Sequence, residues 1–179
     1  LEFKNYTNIL TENKAALDLL DDYAVKKWFN INKPDVVILA AARVGGINAN
    51  NENPSDFILE NLKIQTNVID SSWQNNVKRF LFLGSSCIYP KFSKQPITEE
   101  ELLKGELEPT NEWYAIAKIA GIKLCDALRK QHGFDAICLM PTNLYGPGDN
   151  YHKQNSHVLP AMIRKFYEAK INKEKKVIC

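Results

Sequence analysis

Three short apolar runs, separated by long stretches of helical periodicity, constrain this chain most: Val36-Val-Ile-Leu-Ala-Ala-Ala42, Phe80-Leu-Phe-Leu83 and Ala136 to Met140. A strand wetted on one side alternates apolar and polar residues. An unbroken apolar run bounded by turn signals such as Lys33-Pro34-Asp35 reads as a strand buried on both faces. Such strands lie parallel only when a long crossover joins them, and the intervening segments supply one. Tyr23 to Asn32 carries Val25, Trp28 and Phe29 at helical spacing. Pro54 to Gln74 spaces Phe57, Ile58, Leu62, Val68, Ile69 and Trp73 in the same way, behind a proline suited to a first helical turn. Tyr114 to His132 and Val158 to Lys170 read as two further helices. Strands alternating with helices predict an α/β fold built on a doubly wound parallel sheet.

Ligands of open α/β sheets bind at the carboxyl ends of the strands. The Phe80 run ends in Gly84-Ser85-Ser86-Cys87, which delivers polar side chains to that edge. After a polar loop from Lys91 to Asn111, Thr110 and Asn111 offer N-caps to the next helix, placing Tyr114 in its first turns and Lys118 one turn on. A Tyr and a Lys four apart share one helix face. An ammonium beside a phenol favours the phenolate, so Lys118 is expected to lower the pKa of Tyr114. A serine hydroxyl from the strand end can share a substrate oxygen with that phenol. The set suits proton transfer at the oxygen of a carbonyl–alcohol couple worked by a nicotinamide.

Composition narrows the class. The 179 residues amount to one domain, enough for a substantial core. With 23 basic and 21 acidic residues the formal charge is +2, which argues against nucleic acid as a partner. Lys173 to Lys176 reads as a solvated tail. No apolar run approaches the ~20 residues of a membrane span, and no signal peptide opens the chain, so neither membrane insertion nor secretion is expected. Cys87, Cys125, Cys138 and Cys179 form no CxxC pair and no metal-ligand spacing with the three histidines. Cys125 and Cys138 read as small core hydrophobes, and a reducing cytoplasm fits this usage.

Several segments in order now carry a resemblance. Ala40-Ala-Ala-Arg-Val-Gly-Gly-Ile47, Leu83-Gly-Ser-Ser-Cys-Ile-Tyr-Pro90, Glu108-Pro-Thr-Asn111, Tyr114-Ala-Ile-Ala-Lys-Ile-Ala-Gly121, Met140-Pro-Thr-Asn-Leu-Tyr-Gly-Pro147, Asp149-Asn150 and Ser156-His157-Val158 resemble the GDP-L-fucose synthase family of extended short-chain dehydrogenase/reductases. The likeness runs over about residues 17 to 170. It implies a Rossmann-type sheet, and an NADPH-dependent enzyme that epimerises GDP-4-keto-6-deoxy-D-mannose at C3 and C5 and reduces its 4-ketone. The eight glycines contain no glycine-rich dinucleotide fingerprint. The resemblance places Leu1 beyond the first strand and its turn, and Cys179 before most of the substrate-binding part. The chain is therefore expected to hold a partial cofactor-binding domain over residues 1–150 and the start of a substrate part over 151–179.

The resemblance also implies roles. Cys87 matches the base that removes the C3 and C5 protons, and a thiolate in that role needs a nearby cation. His157 matches the opposing acid, with His152 a competitor nearby. Tyr114 would protonate the C4 oxygen. Lys118 would hold the nicotinamide ribose. Ser85 would bond the ketone, with Ser86 as the alternative, since neighbouring strand residues point opposite ways. Leu83, Gly84, Ser85, Ser86, Pro141, Thr142, Asn143 and Leu144, with Tyr114, Lys118 and His157, match the nicotinamide half of the NADP(H) site. Ala40, Ala41 and Ala42 match its adenosine ribose, where the bland reading is core packing. Asp18 and Leu19 match the adenine side. Lys14 is the candidate for a 2′-phosphate, at a place where arginine would be usual, so NADPH and NADH both stay open. Cys87, Asn143 and Lys165 would touch the substrate. The Pro54–Gln74 and Tyr114–His132 helices would pair in a homodimer. Other readings remain: another nucleotide-sugar epimerase or dehydratase, or a non-catalytic binding module.

Overall fold

The structure, a computed structural model, describes residues 6–153 and 156–177. Cys179 lies outside the described residues. Strands β1 (Val36–Leu39), β2 (Arg79–Leu83) and β3 (Ala136–Leu139) form a sheet in that order, both pairs parallel. Val37 lies opposite Phe80, and Phe82 opposite Cys138. Helix α1 (Asp22–Asn32) feeds β1. The short α2 (Ile47–Glu52) and long α3 (Pro54–Gln74) cross from β1 to β2, α4 (Glu112–His132) crosses from β2 to β3, and α5 (Val158–Ile171) follows. Sequence periodicity misses α2 and the single 3-10 turns at Ser86–Ile88 and Glu99–Glu101, because segments this short carry no repeating apolar face.

One face of the sheet is the core. Phe80 and Phe82 are fully buried there with Val25, Phe29, Val68, Ile69 and Cys125, so α1, α3 and α4 all contribute. Cys125 and Cys138 pack as expected, the first buried and the second half-buried. The reading of Val36 to Ala42 as a strand buried on both faces needs correction. Only Leu39 of β1 is fully buried, while Val36, Ile38 and, on β3, Leu139 are about half exposed on the other face of the sheet. Pairing also stops at Leu39: Ala40 and Ala41 continue as an irregular, exposed segment. Core packing therefore does not account for those two alanines.

Helix α4 is drawn tightly onto β2. A Cβ built on Gly121 would lie 2.5 Å from Phe82 Cζ and 2.9 Å from Gln65 Oε1. Gln65, buried on α3, donates from Nε2 to the Ala117 carbonyl at 2.6 Å. Gly121→Ala is expected to destabilise the protein by about 1–3 kcal/mol through overpacking, against a helix-propensity gain of about 1 kcal/mol. Urea unfolding would measure it; a midpoint at or above wild type would refute the close fit. The expected N-caps of α4 do not form. Thr110 Oγ1 bonds Glu108 instead, and the Asn111 side chain makes no cap bond. The first turn is held by the backbone, with Ala115 N–H donating to Asn111 O at 3.0 Å.

Candidate active site

The carboxyl ends of the three strands and the start of α5 enclose a cleft of about 290 Å³. Each wall follows from the topology. Gly84 and Ser85 extend β2, Pro141 to Leu144 extend β3, and Val44, Gly45 and Asn50 follow β1. Tyr114 enters from the first turns of α4, Phe57 from α3, and His157 from the N-cap of α5. Gly84 is needed where it stands: its N–H donates to Leu139 O at 2.7 Å, and a Cβ would come within 3.2 Å of that same oxygen. A second, apolar hollow of about 420 Å³ shares Asn143, Leu144 and His157, and is completed by α5 through Val158, Met162, Ile163 and Phe166.

The residues singled out for chemistry converge. Ser85 lines the cleft, whereas Ser86 is exposed and begins the 3-10 turn, so only Ser85 can face a ligand beside Tyr114. That turn brings Cys87 back over the strand end, its thiol donating to Ser85 Oγ at 3.2 Å. Lys118 is 4% exposed, and its Nζ donates to the Leu83 carbonyl at 2.8 Å. The same ammonium lies 4.8 Å from the Phe82 ring centroid and 5.7 Å from that of Tyr114. A buried cation survives only with such compensation.

Burial dominates the electrostatics. It pushes Tyr114 up to about 12, with the neighbouring Cys87 adding to the rise. It pulls Lys118 down to about 8, opposed by Cys87. It also raises Cys87, while the bond with Ser85 and the Lys118 charge pull the other way. The expectation that Lys118 lowers the Tyr114 pKa is thus reversed: desolvation outweighs the ammonium, which is directed to Leu83 O. At neutral pH the phenol holds its proton, the form a proton donor requires.

His157 lines the cleft and His152 does not; the backbone N–H of His152 donates to Asn150 Oδ1 at 2.9 Å. Lys165 is exposed on α5 and lines neither hollow. Leu19 O accepts from Asn67 Nδ2 at 2.9 Å, which ties the segment to α3, and within the segment Asp18 Oδ1 accepts from the Leu20 N–H at 3.0 Å. Sequence reasoning missed the wall formed by Val44, Gly45, Asn50 and Phe57. Gly45-Gly46 was its one visible signal, since a Cβ on Gly45 would lie 3.0 Å from both Ala49 Cβ and Phe57 Cζ. Among the described residues no group of His, Cys, Asp and Glu could hold a metal ion, and no helix is long and apolar enough to cross a membrane.

A Rossmann-type parallel sheet with Ser85, Tyr114 and Lys118 at its strand ends is the frame of a nucleotide-dependent enzyme class, and the chain belongs to the NAD dependent epimerase/dehydratase family, whose model matches residues 3–179. GDP-L-fucose synthase 1 of Arabidopsis thaliana is 61% identical over 178 residues, covering 99% of this chain and 55% of that protein. GDP-L-fucose synthase of Escherichia coli (strain K12) is 56% identical over 169 residues, 94% of this chain and 53% of that protein. The structure of a GDP-mannoheptose C4 reductase from Campylobacter jejuni with NADP bound superposes with a TM-score of 0.90 at 42% identity, over 96% of this chain and 51% of that one. The chain spans about half the length of the curated relatives it matches.

Proposed function

We propose that the protein carrying this chain converts GDP-4-keto-6-deoxy-D-mannose to GDP-L-fucose, by epimerisation at C3 and C5 and NADPH-dependent reduction at C4. The observation that carries the reading is the single cleft in which Ser85, Tyr114 and His157 meet, with Cys87 and Lys118 directly behind it. Similarity to proteins named GDP-L-fucose synthase supports the substrate. The residues fit a nicotinamide cofactor: a phenol and a serine hydroxyl line one hollow with a buried lysine behind them, and the exposed Ala40 and Ala41 leave room for close backbone approach at the end of β1. Leu83 to Ser86, Lys118 and Pro141 to Leu144 would hold its nicotinamide half, and Asp18, Leu19 and Ala40 to Ala42 its adenosine half. Bound NADPH supplies the hydride that reduces C4.

The chain's own groups do the rest. The ketone acidifies the hydrogens at C3 and C5 by enolate formation. Cys87, as thiolate, removes a proton from one face of the ring, and His157 returns one to the other. Ser85 donates a hydrogen bond to the ketone oxygen throughout. When C4 is reduced, the oxygen becomes an alkoxide more basic than a phenolate, and Tyr114 passes its proton to it. Lys118 lends positive charge to both Cys87 and the oxygen site. Asn143, at the junction of the two hollows, and Lys165 on α5 are assigned to the nucleotide sugar. On this reading residues 1–150 belong to the cofactor domain and 151–179 begin the substrate part, in a cytoplasmic enzyme.

A homodimer is part of the proposal. Leu59 on α3, with Trp113 and Ile116 on α4, are 38–52% exposed on the outer surfaces of the helix pair, the surfaces a two-fold four-helix contact would cover. Light scattering of the full-length protein giving a monomer mass would contradict it. A second reading, a GDP-sugar C4 reductase without epimerase activity, is favoured by the likeness to the heptose enzyme. NADPH oxidation by the full-length protein, followed with and without GDP-4-keto-6-deoxy-D-mannose, is expected to depend on that sugar and to give the fucose epimer. Oxidation with no sugar dependence, or none at all from folded protein, would sink the main reading. Reduction without epimerisation would favour the second.

A further inference from the structure

Asn50 belongs to the cleft and to none of the roles above. It lies on α2, 4% exposed, and its Nδ2 donates to the carbonyls of Gly45 at 3.0 Å and Gly46 at 3.1 Å. Carbonyls only accept, so these two bonds fix the orientation of the amide, with nitrogen toward the loop and oxygen away from it. Oδ1 is then buried and accepts no hydrogen bond from any described residue. An orphaned acceptor of this kind is costly to keep and calls for an explanation. The wall that holds it is closely packed at Gly45, where a Cβ would lie 3.0 Å from Ala49 Cβ and Phe57 Cζ, while a Cβ on the adjoining Gly46 would meet nothing within 4 Å.

We propose that Asn50 Oδ1 is a specificity contact that accepts a hydrogen bond from the sugar hydroxyl next to the keto carbon. This rests on the reading of the cleft as a keto-sugar site. Ser85 and Tyr114 hold only the ketone oxygen, and one oxygen is a pivot about which a ring can turn. Cys87 and His157 must nevertheless meet opposite faces of that ring. A second bond, at the neighbouring C3 hydroxyl, removes the rotation, and pre-set orientation of this sort is worth much in rate. With both amide hydrogens spent on the loop, Oδ1 can only accept. It therefore selects a hydroxyl and rejects a ring lacking one.

The test is calorimetric and independent of turnover. Full-length wild type, Asn50→Ala and Asn50→Asp are titrated with NADP, then with a GDP-linked 6-deoxyhexose and with its 3-deoxy counterpart. Wild type is expected to bind the hydroxylated sugar about tenfold more tightly, the size of one neutral hydrogen bond. Asn50→Ala should bind the two within twofold, with NADP affinity unchanged as the check on folding. Asn50→Asp, which keeps an acceptor, should retain a preference. An equal preference in wild type and Asn50→Ala overturns the proposal, as does a loss confined to NADP. Discrimination by wild type without turnover would sink the reaction while leaving this contact standing, and binding of neither sugar would overturn both.

Discussion

Replacing Tyr114 by Phe in the full-length protein is expected to slow NADPH-dependent keto reduction by roughly 10²–10⁴-fold, the usual contribution of a positioned general acid. Exchange of the C3 and C5 hydrogens with solvent should survive, because the ketone still accepts from Ser85. The reason is protonation. Burial holds the phenol at about 12, so in the proposed reaction Tyr114 would enter carrying the proton that the C4 oxygen must receive. Phenylalanine keeps the ring packed near the Lys118 ammonium, so stability should change little. The pH profile carries a second signature. Burial brings Lys118 down to about 8, so its charge is present below that pH and lost above it, and reduction should decline on the alkaline side. The same depression sets the sign for stability. Lys118 binds its proton more weakly in the folded chain than in the unfolded one, so its contribution rises with pH between about 8 and its ordinary value of 10.5. Single-turnover reduction by Tyr114→Phe within threefold of wild type would remove the phenol from the mechanism.

Cys87→Ser is expected to suppress exchange at C3 and C5 by at least about 10²-fold, since a hydroxyl is a far weaker base than a thiolate. NADP binding should persist. Burial raises the Cys87 thiol above its ordinary value, and Ser85 and Lys118 recover only part of that. Thiolate is therefore scarce at pH 7, and exchange should climb with pH from 6 upward. As Lys118 loses its charge near pH 8, Cys87 loses a source of support, and the climb should flatten there. NMR in deuterated buffer would follow both hydrogens. Exchange in Cys87→Ser at the wild-type rate would eliminate the thiol as base.

The fold was legible because its main signals are long and repeated. Helices α3 and α4 run for 21 residues each, enough turns for an apolar stripe to show, and β2 stands out as an unbroken apolar run. The end of β1 was not legible. Val36 to Ala42 is uniformly apolar, and composition alone cannot say where backbone pairing stops. At the site, Tyr114, Lys118 and a serine at the end of β2 were visible because the strand end and one helix face fix their spacing, whereas the choice of Ser85 over Ser86 and the role of Cys87 came only from the resemblance. The direction of the Tyr114 shift was not visible, because it depends on how deeply the phenol is buried, and sequence spacing gives only its distance along the helix from a lysine. Asn50 was invisible for a related reason: its meaning lies in which of its two polar atoms is already taken.

The contact at Gly121 has a practical side. A programme to make this protein more heat-resistant by swapping helix glycines for alanine, a standard way to stiffen the unfolded chain, would select Gly121, the one glycine inside α4. The swap would push the helix off Phe82, and Tyr114 and Lys118 ride on that same rigid rod, two turns and one turn nearer the cleft. Thermal tolerance and turnover would fall together. Residues chosen for engineering are better sought away from the face of α4 that meets Phe82 and from the exposed stripe through Trp113, Ile116, Ala120 and Lys123, which the proposed dimer contact would cover.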